Sequence, residues 1–362
     1  MDINRLFNKD LMKIAPYEAV DSPETLSLSY GIEINNVIKL NANENPYGPS
    51  PKLSKALNDF RDYHIYPDPN QKIAREALSE YVGVSPNHIL VGAGADELID
   101  LILRCTVERG DSVMICSPTF GMYSFSTYIN AGLLIDVPRN QNFDIDLESI
   151  NRSITDRTKV IFLTSPNNPT GNMISLDSLT NILKNDILVV VDETYYEFSG
   201  KSAIGLVSDY PNLVVLRSLS KWAGLAGLRV GYSIMDPSIV NFLMKIKNPY
   251  NLNIAAQIAL MTSLEDISYL QSNVNLIIEE RERLHAVLLS SDGVVPYTSH
   301  GNFILCKFND GIATVLYKEL ASRGIFVRYF DSLVLKDCLR ISVGKPEHND
   351  LLIGVIRDTL GN

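Results

Sequence analysis

Arg217-Ser218-Leu219-Ser220-Lys221-Trp222-Ala223-Gly224-Leu225-Ala226-Gly227-Leu228-Arg229-Val230-Gly231-Tyr232 follows an apolar run at 213–216 that reads as a buried strand. The stretch sets two hydroxyls, a lysine and an arginine in a short turn among small and apolar residues. Burial disfavours an ammonium ion, and a lysine held neutral can attack a carbonyl and form a Schiff base. Ser218, Ser220 and Arg229 suit an anion, because hydroxyls and a forked guanidinium match phosphate oxygens. Taken alone, Lys221 reads first as a solvated lysine in a glycine-rich loop, since most lysines are exposed, and only the rest of the chain moves that reading.

Upstream, Ile187-Leu188-Val189-Val190-Val191 has the aliphatic content of a parallel strand buried on both faces. It ends in Asp192-Glu193-Thr194-Tyr195, where a carboxylate needs either a positive or hydrogen-bonding partner or a capping role in the next turn. A strand near 88–91 runs into Gly92-Ala93-Gly94-Ala95-Asp96-Glu97 and then a helix carrying Leu98, Ile99, Leu101, Ile102 and Leu103. Strand, glycine turn and helix start make an anion seat from free backbone N–H groups. Glu97 stands where a dinucleotide fingerprint requires its third glycine, so a phosphate seat without a dinucleotide is expected. Strands are also expected at 112–116, 133–137 and 159–163. Phe120 follows the first of these and can cap a planar ring or pack in the core. The amide-rich turn Thr164-Ser165-Pro166-Asn167-Asn168-Pro169-Thr170-Gly171 follows the last.

The alternation over 38–245 predicts an α/β domain with a largely parallel sheet. In such sheets ligands sit beyond the carboxyl ends of the strands. The polar motifs at 94–97, 117–120, 165–171, 192–195 and 218–221 all fall at such ends. Residues 1–37 read as an N-terminal arm with Tyr17 as a surface anchor or lid residue. The loop Asn41-Ala42-Asn43-Glu44-Asn45-Pro46-Tyr47-Gly48-Pro49-Ser50-Pro51 is too rich in Asn, Pro and Gly for regular structure. Residues 246–362 read as a smaller α+β domain, with helices at 254–264, 277–289 and 312–322 and strands at 302–308, 325–328 and 339–343. Arg328 and Arg340 lie on two of those strands, where an arginine needs an anion unless it sits at an exposed edge.

Composition excludes several functions. The 362 residues carry a formal charge of −10, which gives no footprint for nucleic acid or an anionic membrane. No run approaches the roughly 20 apolar residues of a spanning helix. The first ten residues are polar with no apolar signal core, so the cytoplasm is the expected compartment. Four scattered cysteines read as reduced buried thiols, and the five histidines have no metal-binding spacing. No G-x-S-x-G elbow is present.

A phosphate seat, a strand-end carboxylate, an aromatic cap, an amide and a poised lysine together suit pyridoxal phosphate. That cofactor needs a lysine for its aldehyde, donors for its phosphate and an acid beside its pyridine nitrogen. Asp192 suits the nitrogen, and Asn168 and Tyr195 suit the ring hydroxyl.

Over nearly its full length, on the 41–51 loop, 92–97, 165–171, 192–195 and 218–232, the chain resembles the fold-type-I pyridoxal phosphate aminotransferases of the class II subgroup. Within them it is most similar to the histidinol-phosphate aminotransferase family. The resemblance implies that Lys221 binds the cofactor covalently and then moves the proton from the substrate Cα. Asp192 and Tyr195 would complete the catalytic set. Gly94, Ala95 and Asp96 would hold the cofactor phosphate with Ser218, Ser220 and Arg229, while Phe120 would stack on the ring. Many members of the family have tyrosine at the Phe120 position. Tyr66 would reach the cofactor phosphate of a neighbouring subunit, implying a homodimer. Tyr17, Asn43, Arg328 and Arg340 would meet the substrate, an amino donor or 2-oxoglutarate. Threonine-phosphate decarboxylase, other phosphorylated-amine or aromatic aminotransferases, and a ligand-binding module that kept the fold stand as alternatives.

Overall fold

The computed structural model describes residues 1–9 and 11–361. Twelve strands build two sheets: β1 (Ile38–Leu40), β2 (Ile89–Gly92), β3 (Ser112–Ile115), β4 (Leu133–Asp136), β5 (Thr158–Thr164), β6 (Leu188–Asp192), β7 (Leu213–Ser218), β8 (Gly231–Ile234), β9 (Val294–Pro296), β10 (Phe303–Phe308), β11 (Ile325–Tyr329) and β12 (Cys338–Ser342). The larger sheet has the order β2-β8-β7-β6-β5-β3-β4. Strands β3 to β7 pair in parallel, and β8 runs antiparallel between β7 and β2. The sequence expectation of a largely parallel sheet therefore holds, and β8 is an addition to it.

Strand β6 shows why this sheet is central. Val190 faces a core made with Leu98, Ile99 and Ile102 of the helix Ala95–Thr106, while Val189 and Val191 face a second core with Val215 and Trp222. Each residue alternates to the opposite face with period two, so both faces must be apolar. Burying each such side chain contributes roughly 1.5–3 kcal/mol. The register Thr164↔Asp192↔Leu216 then brings the polar ends of β5, β6 and β7 to one rim.

The second sheet has the order β1-β11-β12-β10-β9. The strand expected to open the large unit, 38–40, instead pairs in parallel with β11, with Ile38 opposite Ile325. A three-residue strand carries no information on its partner. The chain therefore starts on the smaller sheet and crosses to the larger one through the 41–51 loop.

At the other end, Ala256, Ala259 and Leu260 of the helix Ile254–Glu265 pack into the core of the large sheet. The helix Ile267–Leu289 begins ten residues before the expected 277, its start hidden by Gln271, Ser272, Asn273 and Asn275. Its Val274 and Ile277 enter the core beneath Val189 and Val191, and its Leu284 and Leu288 the core of the smaller sheet with Ile304 and Leu339. The change of pattern near 245 is thus not a break in packing.

In the arm, Ser22 Oγ caps the helix Pro23–Tyr30 by accepting from Thr25 N at 3.2 Å, and Leu26 packs on Phe326. Of the four cysteines expected to be buried, Cys116, Cys306 and Cys338 are, whereas Cys105 is exposed near the end of the helix Ala95–Thr106. No helix among the described residues is long and apolar enough to cross a membrane.

Candidate active site

A cavity of about 560 Å³ opens where β5, β6 and β7 end, walled on its far side by residues of the arm, the 41–51 loop, β11 and β12. Lys221 lines it, and its Nζ donates to the Ala42 carbonyl at 2.8 Å. No carboxylate pairs with this amine among the described residues. Burial, with Arg340 adding to it, brings its pKa down from the ordinary 10.5 to about 8. The folded state therefore holds the proton less tightly than the unfolded chain, so this group opposes folding below pH 8 and the penalty fades as pH rises from 8 towards 10.5. In cofactor-free protein, acylation of Lys221 by a small acyl donor such as acetic anhydride, followed by peptide mass, is expected to rise with a midpoint near pH 8. A midpoint near that of an ordinary lysine would contradict the buried setting.

Asp192 ends β6 facing the same cavity and is only 3% exposed. Its Oδ2 accepts from Tyr123 Oη at 2.7 Å and its Oδ1 from Thr194 N at 2.9 Å. It makes no ion pair among the described residues. Burial raises its pKa, and the Thr194 and Tyr123 hydrogen bonds pull it back. A carboxylate so placed fits a ligand that brings its own N–H⁺ group. Tyr123→Phe removes one of the restraining donors and is expected to raise the Asp192 pKa further. The acid limb of the kcat–pH profile should then move to higher pH, with a loss of about 1–3 kcal/mol where the acceptor is left unmade. An unmoved acid limb would separate Asp192 from the chemistry.

The anion seat lies at the start of the helix Ala95–Thr106, whose first-turn N–H groups lack helical acceptors. Arg229 crosses it and donates from Nη2 to Asp96 Oδ2 at 2.6 Å. Gly94, with φ 83° and ψ 168°, adopts a backbone conformation open essentially to glycine, and a Cβ there would run into the Arg229 guanidinium. Ser218 and Ser220 complete the seat, Ser220 N donating to Ser218 Oγ at 3.1 Å. Phe120 lies at the cavity edge-on to Tyr123 and Tyr17, with ring centroids 5.6 and 6.4 Å apart.

Arg328 and Arg340 are direct cross-strand partners on β11 and β12. Opposed residues project to one face, where like charges repel unless an anion joins them. Arg340 is 7% exposed, donates to Asn168 Oδ1 and the Asn41 carbonyl at 2.6 Å each, and leaves its Nε without a partner. It has no carboxylate partner among the described residues, and burial lowers its pKa to about 10. Arg328 Nη2 donates to the Glu18 carbonyl at 3.5 Å and lies 3.8 Å from its exposed carboxylate, with the guanidinium 5.9 Å from the centre of the Phe330 ring. Tyr17 stands beside both arginines in the cavity wall.

Asn43 also lines the cavity, yet its amide bridges within the protein. Nδ2 donates to Tyr195 Oη and Oδ1 accepts from Ser342 Oγ, both at 2.9 Å. Tyr66 lies away from the cavity of its own chain, 75% exposed and stacked on Tyr250 with centroids 4.2 Å apart.

Three contributors escaped sequence reading. Ala42 acts through its carbonyl, which no residue type announces. Tyr123 reads as a core aromatic, and only its buried hydroxyl betrays the link to Asp192. Ser342 is the last residue of a short strand, Cys338–Ser342, and nothing in its own sequence surroundings points to Asn43.

The family model for aminotransferases of class I and II matches residues 35–356. A histidinol-phosphate aminotransferase of Dehalococcoides mccartyi (strain CBDB1) is 46% identical over 352 residues, covering 97% of each chain. The chloroplastic histidinol-phosphate aminotransferase of Nicotiana plumbaginifolia is 45% identical over 350 residues, 96% of this chain and 85% of that one. Among solved structures, the crystal structure of histidinol-phosphate aminotransferase from Sinorhizobium meliloti in complex with pyridoxal-5'-phosphate superposes with a TM-score of 0.89 at 26% identity, covering 98% of this chain and 97% of that one.

Proposed function

The chain belongs to the class I and II aminotransferases, within the histidinol-phosphate aminotransferase family, and from that premise we propose that it moves the amino group of L-histidinol phosphate to 2-oxoglutarate, giving imidazole acetol phosphate and glutamate. It is an aminotransferase of histidine biosynthesis that uses pyridoxal 5'-phosphate. The observation that carries the substrate reading is Arg340, a buried guanidinium with no anion of its own, in one cavity with Lys221 and opposite Arg328.

The residues fit the cofactor. Asp192 is a buried carboxylate lacking a cation, Lys221 a buried amine lacking a carboxylate, and the Gly94–Arg229 seat offers donors to a phosphate. When bound, pyridoxal phosphate supplies an electrophilic carbonyl and an electron-accepting ring. Lys221 Nζ, held by the Ala42 carbonyl and half neutral near pH 8, offers the amine for that carbonyl and is placed to carry the proton of the donor Cα. Asp192 would keep a proton on the ring nitrogen, aided by Tyr123 and Thr194. Asn168 and Tyr195 would hold the ring hydroxyl, and Phe120 would cover the ring. Arg340 and Arg328 would bind the donor's phosphate in one half of the cycle and the acceptor's carboxylate in the other, since a forked guanidinium suits both. Arg340 also holds Asn168, so substrate binding and ring contact share a group.

The exposed position of Tyr66 supports a homodimer in which it meets the partner's cofactor phosphate. The absence of charge patterns for membrane or nucleic acid supports a cytoplasmic enzyme acting on small molecules. A ligand-binding module would have no use for Lys221 and Asp192 together.

Donor competition tests the reading. The kcat/KM of L-histidinol phosphate is expected to exceed those of phenylalanine and threonine phosphate, with 2-oxoglutarate as acceptor. A preference for either competitor, or release of CO2 from threonine phosphate, would overturn the substrate.

A further inference from the structure

Directly behind Asp192 and Ser218 lies a buried ion pair that the chemistry above leaves without a role. Arg217 and Glu193 are 3% and 2% exposed. Arg217 Nε and Nη2 both donate to Glu193 Oε2, at 3.1 and 3.0 Å. Ser202 Oγ donates to the same oxygen at 2.7 Å, and Ala203 N donates to Oε1 at 2.6 Å. The guanidinium carbon also lies over the Tyr196 ring, 3.7 Å from its centroid.

We propose that Arg217 and Glu193 act as a positioning couple, fixing the spacing between Asp192 and the Ser218–Lys221 turn from the reverse side of the sheet. The proposal rests on the reading of the cavity as a pyridoxal phosphate site. Its basis is the alternation of side chains along a strand. Asp192 and Ser218 face the cavity, so their chain neighbours Glu193 and Arg217 face away from it and meet one another. The two backbones are already joined there, Glu193 N donating to the Leu216 carbonyl at 2.8 Å. That single bond leaves the strand ends free to splay beyond it, and the side-chain fork closes them. Tyr196, against which Arg217 packs, follows Tyr195 of the cavity wall.

A second arm of the cluster reaches the lysine. Buried Glu197 accepts from Tyr81 Oη at 3.3 Å, and Tyr81 stacks on Trp222 with centroids 5.7 Å apart and planes 15° apart. Trp222 is the neighbour of Lys221. The couple thus touches the elements that carry Asp192, Tyr195, Ser218 and Lys221 without touching the cavity.

Stability alone is a weak reason to keep such a pair. Two charges taken out of water are costly, and replacing a buried pair by apolar residues of similar size is often neutral or stabilising. Geometric precision is a sufficient reason, because small misplacements by remote mutations cost up to about 100-fold in rate.

The apolar double variant Arg217→Met/Glu193→Leu separates the two roles. It is compared with wild type for melting temperature, cofactor affinity and kinetics with L-histidinol phosphate. Trp222 is the only tryptophan, so its quenching on adding pyridoxal phosphate to cofactor-free protein reads affinity without turnover. The expected result is a melting temperature no lower than wild type, cofactor affinity weaker by about tenfold, and kcat lower by roughly 10- to 100-fold, with donor KM within about twofold. Wild-type affinity and kcat in a folded double variant would overturn the proposal. If the double variant does not fold, Glu193→Gln, which keeps shape and removes charge, serves in its place. It is expected to lose affinity and kcat in the same direction, and restoring the charge with Glu193→Asp should recover part of the loss. Unchanged values in Glu193→Gln would equally overturn it. A wild-type chain that neither binds pyridoxal phosphate nor turns over would instead refute the reading of the cavity.

Discussion

Lys221→Ala is expected to lower kcat for L-histidinol phosphate by at least about 1000-fold, the combined scale of a lost covalent nucleophile and a lost proton carrier. The variant should still bind pyridoxal phosphate, because the phosphate seat of Ser218, Ser220, Arg229 and the first turn of Ala95–Thr106 does not depend on the amine. Stability should change little or rise, since a buried amine whose pKa is pulled down to about 8 opposes folding at neutral pH. Stopped-flow absorbance in a single half-reaction is the measurement, with equilibrium dialysis of the cofactor beside it. A variant within tenfold of wild type would remove Lys221 from the chemistry. A variant that no longer binds cofactor at all would make the lysine, and not the seat, the main source of affinity.

The second large effect belongs to Arg340. Arg340→Leu is expected to lower kcat/KM for L-histidinol phosphate by about 100- to 1000-fold, the scale of truncating one side of a buried charge-assisted contact. Arg340→Lys should recover only part, because an ammonium cannot make the paired contacts of the fork. A further signature distinguishes this residue from a structural arginine. Arg340 is, after burial, the main group holding the Lys221 pKa down, so its removal should shift the acylation midpoint of Lys221 upward from about 8. Arg328→Leu, further from the lysine and nearer solvent, should reduce kcat/KM with little movement of that midpoint. Steady-state kinetics with both substrates, together with the acylation profile, gives both numbers. Equal effects on a neutral and an anionic donor would show that the arginines serve the fold.

How much of this was legible in the sequence depends on the kind of interaction. The large sheet was readable because Val189, Val190 and Val191 can all be apolar only in a strand covered on both faces. The rim followed from it, since Asp192, Asn168 and the Lys221 turn end successive strands. The small sheet was harder. Residues 38–40 carry a strand pattern, but pairing with 325–327 is a long-range choice that three residues cannot encode locally. The strand Gly231–Ile234 was absorbed into a glycine-rich turn that ends where it begins. The helix Pro346–Leu360 escaped the sequence reading altogether.

Side chains with distinctive chemistry, such as Lys221, Asp192 and Arg340, stand out in the sequence and line one cavity, whereas those that act by position do not stand out. Asn43, expected at the substrate, lines the cavity, and its amide also joins Tyr195 to Ser342. Arg217 and Glu193 sit beside two residues that were singled out, yet alternation turns them to the other face. Nothing local in a sequence says that two such neighbours meet.

The most direct test of the covalent role of Lys221 is borohydride trapping on the wild-type holoenzyme, with peptide mass mapping, before and after L-histidinol phosphate. Before donor, the cofactor mass should be fixed on the peptide containing Lys221. After donor it should vanish from that peptide, and 2-oxoglutarate should restore it. A label on another lysine, or a Lys221 label indifferent to the donor, would contradict the proposed chemistry.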